Sequence, residues 1–275
     1  MLKTVVKLAG FIGTQQLPHI ISLEPADYGR ILEPFGGPAC FSINHPDKER
    51  IIIDSNQNIV DVHNAVKSYP EEFIAEEKNF QEIYNALPNL DTKRLCYIEA
   101  RNLLNSPEFI KMPLAKRAAI FFGITRLSFN GLYRVNSHGK FNVPFGNKET
   151  FVCDENAIRD VNAAMGSLSI SLGSYSDVVN LAQPNDFVLM NMPPLSGSKN
   201  AIKEAGSMLV DVFKALTEMG VHVMLVTADN DNIRALLETY NVNIFSTKTT
   251  ISAKAGGRGS KSTLIITNYS CPASR

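Results

Sequence analysis

A chain of 275 residues, 44% hydrophobic and 20% charged, is long enough for one large domain, or a domain with a subdomain, around a buried core. No apolar run approaches the roughly 18 residues that cross a bilayer, and the start MLKTVVKLAGFIG has neither a long apolar stretch nor a small-residue cleavage site, so a soluble, unsecreted protein without a membrane partner is expected. The formal net charge of zero argues against a general polyanion binder, and the four scattered cysteines (Cys40, Cys96, Cys153, Cys271) suggest reduced, mostly buried thiols rather than a metal cluster or a disulfide framework.

In chain order, RILEPFGG (residues 30–37) reads as a short buried strand running into a glycine turn, and ERIIIDSNQN (49–58) as a second strand ending in an acid. Helical spacing of apolar residues follows in IVDVHNAVKSYPEEF (59–73), EEKNFQEIYNAL (76–87) and PLAKRAAIFFGITRLSF (113–129). SFNGLYRVNSHGKFNVPFG (128–146) reads as a β-hairpin with basic, amide and aromatic residues interleaved around Ser-His-Gly. The pattern then returns to alternation. Strands LSISLGSY and DFVLMNMPP precede the helix NAIKEAGSMLVDVFKALTEMG, the strand VHVMLVT and the helix NIRALLETY, and a terminal pair, NIFSTKTTIS and STLIITNY, can form an antiparallel edge. The expected fold class is therefore α/β, mainly parallel, with a basic helical segment interrupting it.

The neutral total hides a partition. No acid occurs between Glu108 and Glu149, where Lys111, Lys116, Arg117, Arg126, Arg134, Lys140 and Lys148 fall, and none follows Glu238, where Lys248, Lys254, Arg258, Lys261 and Arg275 fall. A single such run is ordinarily a solvated face; two of them suggest a surface in two parts that meets phosphates.

In open α/β sheets ligands gather beyond the carboxyl ends of the strands. That rule selects Phe35, Gly36 and Gly37, then Asp54, Ser55 and Asn56, then Asn191, Met192, Pro193 and Pro194. Glycines there admit close approach of a ligand to the backbone. Asp54 has two roles open to it, as acceptor for a ribose diol or as cap of the helix starting near Asn56.

Taken together these segments resemble the Dam-type DNA adenine methyltransferases over nearly the whole chain. The most specific match is the family's target-recognition hairpin, Asn-Gly-Leu-x-Arg-x-Asn followed by Gly-x-Phe-Asn-Val-Pro-Phe-Gly, present here as residues 130–136 and 139–146. Supporting matches are EPFGG (33–37), the segment around Asp54, YIEARNLLN (97–105), SYSD (174–177), DFVLMNMPP in place of a strand ending Asp-Pro-Pro-Tyr, and ISAKAGGRGSKSTLIITNY near the C-terminus. The resemblance implies a Rossmann-like S-adenosylmethionine-dependent methyltransferase fold built from residues 1–67 and 151–275. Residues 68–150 would form a helical DNA-recognition subdomain carrying the hairpin. It also implies duplex DNA, with a GATC-like site, as partner, and a DNA-containing compartment such as the cytoplasm. Phe129 would fill the gap left by a flipped adenine, Arg134 would read a guanine edge, and Leu132 or Pro144 would touch a thymine methyl. Asn130, Asn136, Lys140 and Asn142 complete the DNA-facing set of the hairpin, with Lys254, Arg258 and Lys261 from the tail. Phe35, Gly36, Gly37, Asp54 and Tyr175 would hold S-adenosylmethionine.

Several departures fall on chemistry. In the family an Asp carboxylate and a proline carbonyl accept the hydrogens of the adenine amine, and a Tyr stacks on the base. Here Asn191 takes the Asp position, Met192 and Pro193 the two prolines, and Pro194 the Tyr. Asn191 can still accept one hydrogen bond, whereas a missing stacking ring costs about 1–3 kcal/mol. The spacer between Phe35 and Gly36 is absent, Pro38 stiffens the loop, and Ala9-Gly10-Phe11-Ile12-Gly13-Thr14 breaks an Ala-Gly-Gly-Lys signature, leaving Thr14 or Gln15 in the lysine position. The leading expectation is a methyltransferase-fold protein that binds duplex DNA, binds S-adenosylmethionine weakly or not at all, and acts by occupancy or with another protein subunit. The alternatives are an active adenine-N6 methyltransferase, with Tyr175 as a substitute ring, and an assembly subunit that binds neither ligand.

Overall fold

The computed structural model describes residues 1–6, 8, 11–13, 16–192, 199–229, 231–248 and 260–271, without the side chains of 199–200, 246–248 and 260–261. In chain order the elements are α1 (Leu17–Ser22), β1 (Ile31–Glu33), α2 (Cys40–Ile43), β2 (Arg50–Asp54), α3 (Gln57–Ser68), α4 (Pro70–Ala86), α5 (Leu90–Leu104), α6 (Leu114–Leu127), α7 (Glu155–Ala164), β3 (Leu168–Leu172), α8 (Val178–Leu181), β4 (Phe187–Asn191), α9 (Lys199–Glu218), β5 (His222–Ala228), α10 (Asp231–Leu236), β6 (Asn241–Lys248) and β7 (Ser260–Thr267).

The chain divides into two compact units. One comprises Met1–Ala9, Gly36–Pro46 and Asp54–Leu172, the other Gly10–Phe35, Asp47–Ile53 and Gly173–Arg275. In the second unit the strands run in the order β2-β1-β4-β5-β7-β6. β1 is parallel to β2 and β4, and β4 to β5, while β7 enters antiparallel to β5 and pairs antiparallel with β6. β4 reads as an unbroken apolar run because both its faces are covered: Phe187, Val188, Leu189 and Met190 are fully buried. Leu209, Val210, Phe213 and Leu216 recur at helical spacing along α9 and pack with Leu32, Val188, Met190, Val223, Leu225 and Ile266 in one core. The α/β class and the antiparallel terminal pair are as the sequence pattern predicts.

The first unit holds α2 to α7 with β3. Its core is aromatic, with Phe122 edge-on to Phe73 and Phe151 at 5.7 and 6.4 Å between ring centroids. The helix expected across 59–73 is instead two, α3 and α4, broken at Tyr69. Pro70 disfavours helical backbone at the residue before it and takes the first turn of α4, where its missing N–H is harmless. The motif at 97–105 runs along α5 to its C-cap, Asn105, and the helix opens on a capping box between Asn89 and Thr92. Residues 128–146 form no continuous two-stranded ribbon. A 3-10 turn spans Phe129–Gly131, and antiparallel pairing is confined to two isolated bridges, Ser128 with Phe145 and Val135 with Phe141. All four cysteines are free thiols, but only Cys40 is buried, fewer than the composition suggested. No helix among the described residues is long and apolar enough to cross a membrane.

Candidate functional site

Residues 128–146 are held by backbone and by α5. The Asn136 and Arg134 carbonyls accept from the N–H groups of Gly139 and Asn142 at 3.0 and 3.1 Å, and Asn136 N–H donates to the Lys140 carbonyl at 2.9 Å. Asn136 Oδ1 accepts from the N–H groups of His138 and Lys140, both at 3.0 Å, which closes the Ser-His-Gly tip as an Asx turn. Outside the tip, one face of α5 supplies a brace. Tyr97 Oη donates to the Val143 carbonyl at 2.8 Å, Arg101 Nη1 donates to the same oxygen at 3.3 Å, and Asn105 both donates to the Phe141 carbonyl and accepts from its N–H. Burial pushes the Tyr97 phenol up to about 12, so it remains a donor at neutral pH. Sequence reading assigned these three no role; their spacing of four along one helix was the signal.

The frame leaves most of the segment's side chains named from the sequence at the surface. Phe129, Leu132, Arg134, Lys140 and Pro144 are exposed. The Arg134 guanidinium is oriented by Asn142, with Nε donating to Oδ1 at 2.8 Å and Nη2 to the carbonyl at 3.3 Å. Two of its five N–H donors are thereby used, and the rest suffice for two bonds to guanine O6 and N7. Asn136 and Asn142 spend their oxygens inside the segment rather than outward. Asn130 sits in the left-handed region at φ 55°.

The acid-free run is not uniformly a phosphate surface. Arg117 is paired with Asp61 at 2.8 Å in a nearly buried bridge, Lys111 pairs with Glu108, and Arg126 lies over the Phe122 and Phe151 rings. Lys116, Arg134, Lys140 and Lys148 remain exposed. Lys254 and Arg258 lie outside the described residues, as does the side chain of Lys261.

In the same unit Asp54 closes β2. Gly37 N–H donates to Asp54 Oδ2 and Asn56 N–H to Oδ1, each at 2.7 Å, and the buried His63 Nε2–H donates to the Gly37 carbonyl at 2.7 Å. Gly37 stands at φ 43°, which favours glycine. The cap of α3 is Asn56, whose side chain accepts from Asn58 N–H at 3.0 Å, so the capping role considered for Asp54 belongs to Asn56. Burial raises the Asp54 carboxyl, and the two N–H groups oppose that rise. Burial lowers His63, so its ring is neutral at neutral pH.

The second unit carries the other members. The rings of Phe35 and Tyr175 stack on each other at 5.0 Å. Asn191 ends β4 with 5% of its surface exposed, and its Oδ1 accepts from Ile12 N–H at 3.4 Å. The Met192 side chain is buried in the core with Met190 and Leu209, and its N–H bonds to the Val226 carbonyl. Pro193 and Pro194 lie outside the described residues, as do Ala9, Gly10, Thr14 and Gln15.

The family model for D12 class N6 adenine-specific DNA methyltransferases matches residues 14–252. The chain belongs to that family. Among its relatives, the type II methyltransferase M1.LlaDCHI of Lactococcus lactis subsp. cremoris is 32% identical over 93% of this chain and 92% of its own. The DNA adenine methylase of Vibrio cholerae is 25% identical over 93% and 92%, and M.MjaIII of Methanocaldococcus jannaschii 26% over 90% and 91%. The D12 family uses S-adenosylmethionine, and the Asp54 turn fits the ribose of that group. Each carboxylate oxygen carries one backbone donor and keeps a lone pair for a hydroxyl.

Proposed function

We propose that this D12-class chain binds duplex DNA, GATC-like in sequence, through residues 128–146, that it methylates adenine slowly or not at all, and that it acts by occupying DNA or beside a partner subunit. The observation that carries the reading is the contrast between the two sets of residues. The recognition segment keeps an oriented Arg134 with spare donors and an exposed Phe129. At the end of β4 a neutral amide replaces a carboxylate, its oxygen already accepts an N–H, and the next side chain is packed in the core.

S-adenosylmethionine supplies an electrophilic methyl when bound, and Asp54 with Gly37 would hold its ribose. The shortened Phe35-Gly36 turn makes that hold weak. Toward adenine, Asn191 offers one acceptor where two bonds to the amine are needed, and an amide oxygen polarises an N–H less than a carboxylate does. The reading of an active methylase draws on the names of the relatives, all methylases or methyltransferases.

Methyl transfer to a GATC duplex, calorimetric titration with S-adenosylmethionine and duplex binding by fluorescence anisotropy separate the readings. Duplex binding with little turnover is expected. Arg134→Ala should cost about 1–3 kcal/mol on the GATC duplex and relax preference at one base, whereas Lys140→Ala should weaken all duplexes alike. Multiple turnover by the wild type returns the chain to the active methylases. Equal binding of specific and scrambled duplexes by wild type and Arg134→Ala removes the hairpin as a reader and favours an assembly subunit.

A further inference from the structure

His63, in the middle of α3, is buried with 3% of its surface exposed. A polar ring so placed costs free energy unless it is hydrogen-bonded, and its Nε2–H meets the Gly37 carbonyl at 2.7 Å. That oxygen belongs to the peptide joining Gly37 to Pro38, which has no N–H, so the carbonyl is the one polar handle the peptide offers. An acceptor facing Nε2 fixes the neutral ring as the Nε2–H tautomer, since the other tautomer would set two lone pairs against each other. The backbone that His63 grips is unusual. Residues 36–40 are all buried, and left-handed backbone occurs both at Gly37, φ 43°, and at Ala39, φ 50°. At an alanine that conformation is unfavourable and persists only where the surroundings over-determine it. Three bonds do so here: Ala39 N–H to the Gly36 carbonyl, Gly37 N–H to Asp54 Oδ2 and His63 to the Gly37 carbonyl, each at 2.7 Å. Of these three, the bond from His63 is the one that reaches the turn from a helix.

We infer that His63 is a positioning residue for the cofactor turn: by holding the Gly37 carbonyl it keeps the Gly37 N–H on Asp54, and so sets the orientation in which that carboxylate meets a ribose diol. The N–H and the carbonyl of Gly37 are gripped at once, which leaves its two backbone dihedrals little freedom. A glycine admits close approach of a ligand but is the residue least able to hold its own conformation, and His63 supplies the missing restraint. Asn56 N–H holds the other Asp54 oxygen at 2.7 Å, so the carboxylate is fixed at both ends while each oxygen keeps a lone pair for a hydroxyl. Without the ring, the Gly37 peptide would be free to turn and Asp54 Oδ2 would lose its donor. This role rests on the reading of Asp54 as the ribose acceptor.

Nitrogen NMR of the His63 ring and amide exchange at Gly37 test this on the full chain, with calorimetric titration of S-adenosylmethionine beside them. In wild type the ring should be the Nε2–H tautomer; an Nδ1–H ring overturns the inference without any variant. His63→Leu fills the volume and donates nothing, whereas the amide of His63→Gln can donate to the same carbonyl. His63→Leu should speed Gly37 exchange about tenfold and weaken S-adenosylmethionine about tenfold, the weight of one hydrogen bond to a charged group. His63→Gln should stay within about threefold of wild type in both, well inside that weight. Equal speeding at Gly37 and along α3, or a Gln variant that behaves as Leu does, marks a packing role and overturns the inference. Wild-type values in His63→Leu overturn it and leave the ribose reading intact. No titratable binding of S-adenosylmethionine by wild type removes both.

Discussion

Glu77 on α4 is wholly buried, and neither carboxylate oxygen has a hydrogen-bond partner. Burial pushes its carboxyl well above the ordinary 4.5, with Arg126 pulling only partly the other way. The unfolded chain releases this proton near 4.5 while the folded chain keeps it, so above that pH the fold binds more protons and stability falls as pH rises. Glu77→Gln should therefore be more stable than wild type at mildly alkaline pH, with the gap closing as pH falls toward 4.5. Urea denaturation across pH measures it, and parallel curves would remove Glu77 as the cause. Nothing in EEKNFQEIYNAL marks this glutamate among its neighbours, since the helical pattern places it beside the apolar stripe and its burial comes from tertiary packing. For Asp54 the sequence left two roles open, and the geometry gives the capping one to Asn56.

At the scale of elements, the segment at 128–146 is closed by Gly146, whose N–H donates to the Leu127 carbonyl at 2.8 Å. A Cβ there would lie 2.6 Å from the Ser128 carbonyl oxygen and 2.9 Å from that of Leu127. Both are main-chain atoms and cannot swing aside. Gly146→Ala should cost about 2–3 kcal/mol, the upper part of the usual range for single substitutions, and should lower duplex affinity together with the denaturation midpoint. A variant of wild-type stability would show that the closure yields freely. The order of residues predicted a hairpin, yet the chain forms two isolated bridges, because Asn130 and Gly131 take left-handed backbone at one base of the segment and α5 side chains replace strand-to-strand bonds at Phe141 and Val143. The break at Tyr69 was legible from Pro70 alone. The brace from α5 was not, since Tyr97, Arg101 and Asn105 become a set only when the hairpin lies against their face.

For the whole molecule, a formal charge of zero leaves few cations for DNA. Lys116, Arg134, Lys140 and Lys148 are exposed in the first unit, while Arg117 and Lys111 are paired with acids. If Lys116, Lys140 and Lys148 meet phosphates while Arg134 reads a base, log affinity should fall with log salt at a slope of about −3, since each neutralised phosphate contributes roughly −0.9. A slope near zero in anisotropy titrations would separate binding from the hairpin's charge; one much steeper would assign a share to the tail. The α/β alternation in the sequence predicted the strands and the antiparallel terminal pair. It did not predict β7 lying inside β6, although β7 carries the continuous run Leu264, Ile265 and Ile266, fully buried as an interior strand is, and β6 has no such run. The brace, finally, hydrogen-bonds main-chain atoms of the segment and packs the Tyr97 ring on the buried Phe145, rather than gripping its exposed side chains. Residues 129, 132, 134 and 140 are consequently free to be exchanged without disturbing how the segment is mounted. If these side chains read DNA as proposed, specificity can be rewritten one exposed side chain at a time on an unchanged chassis.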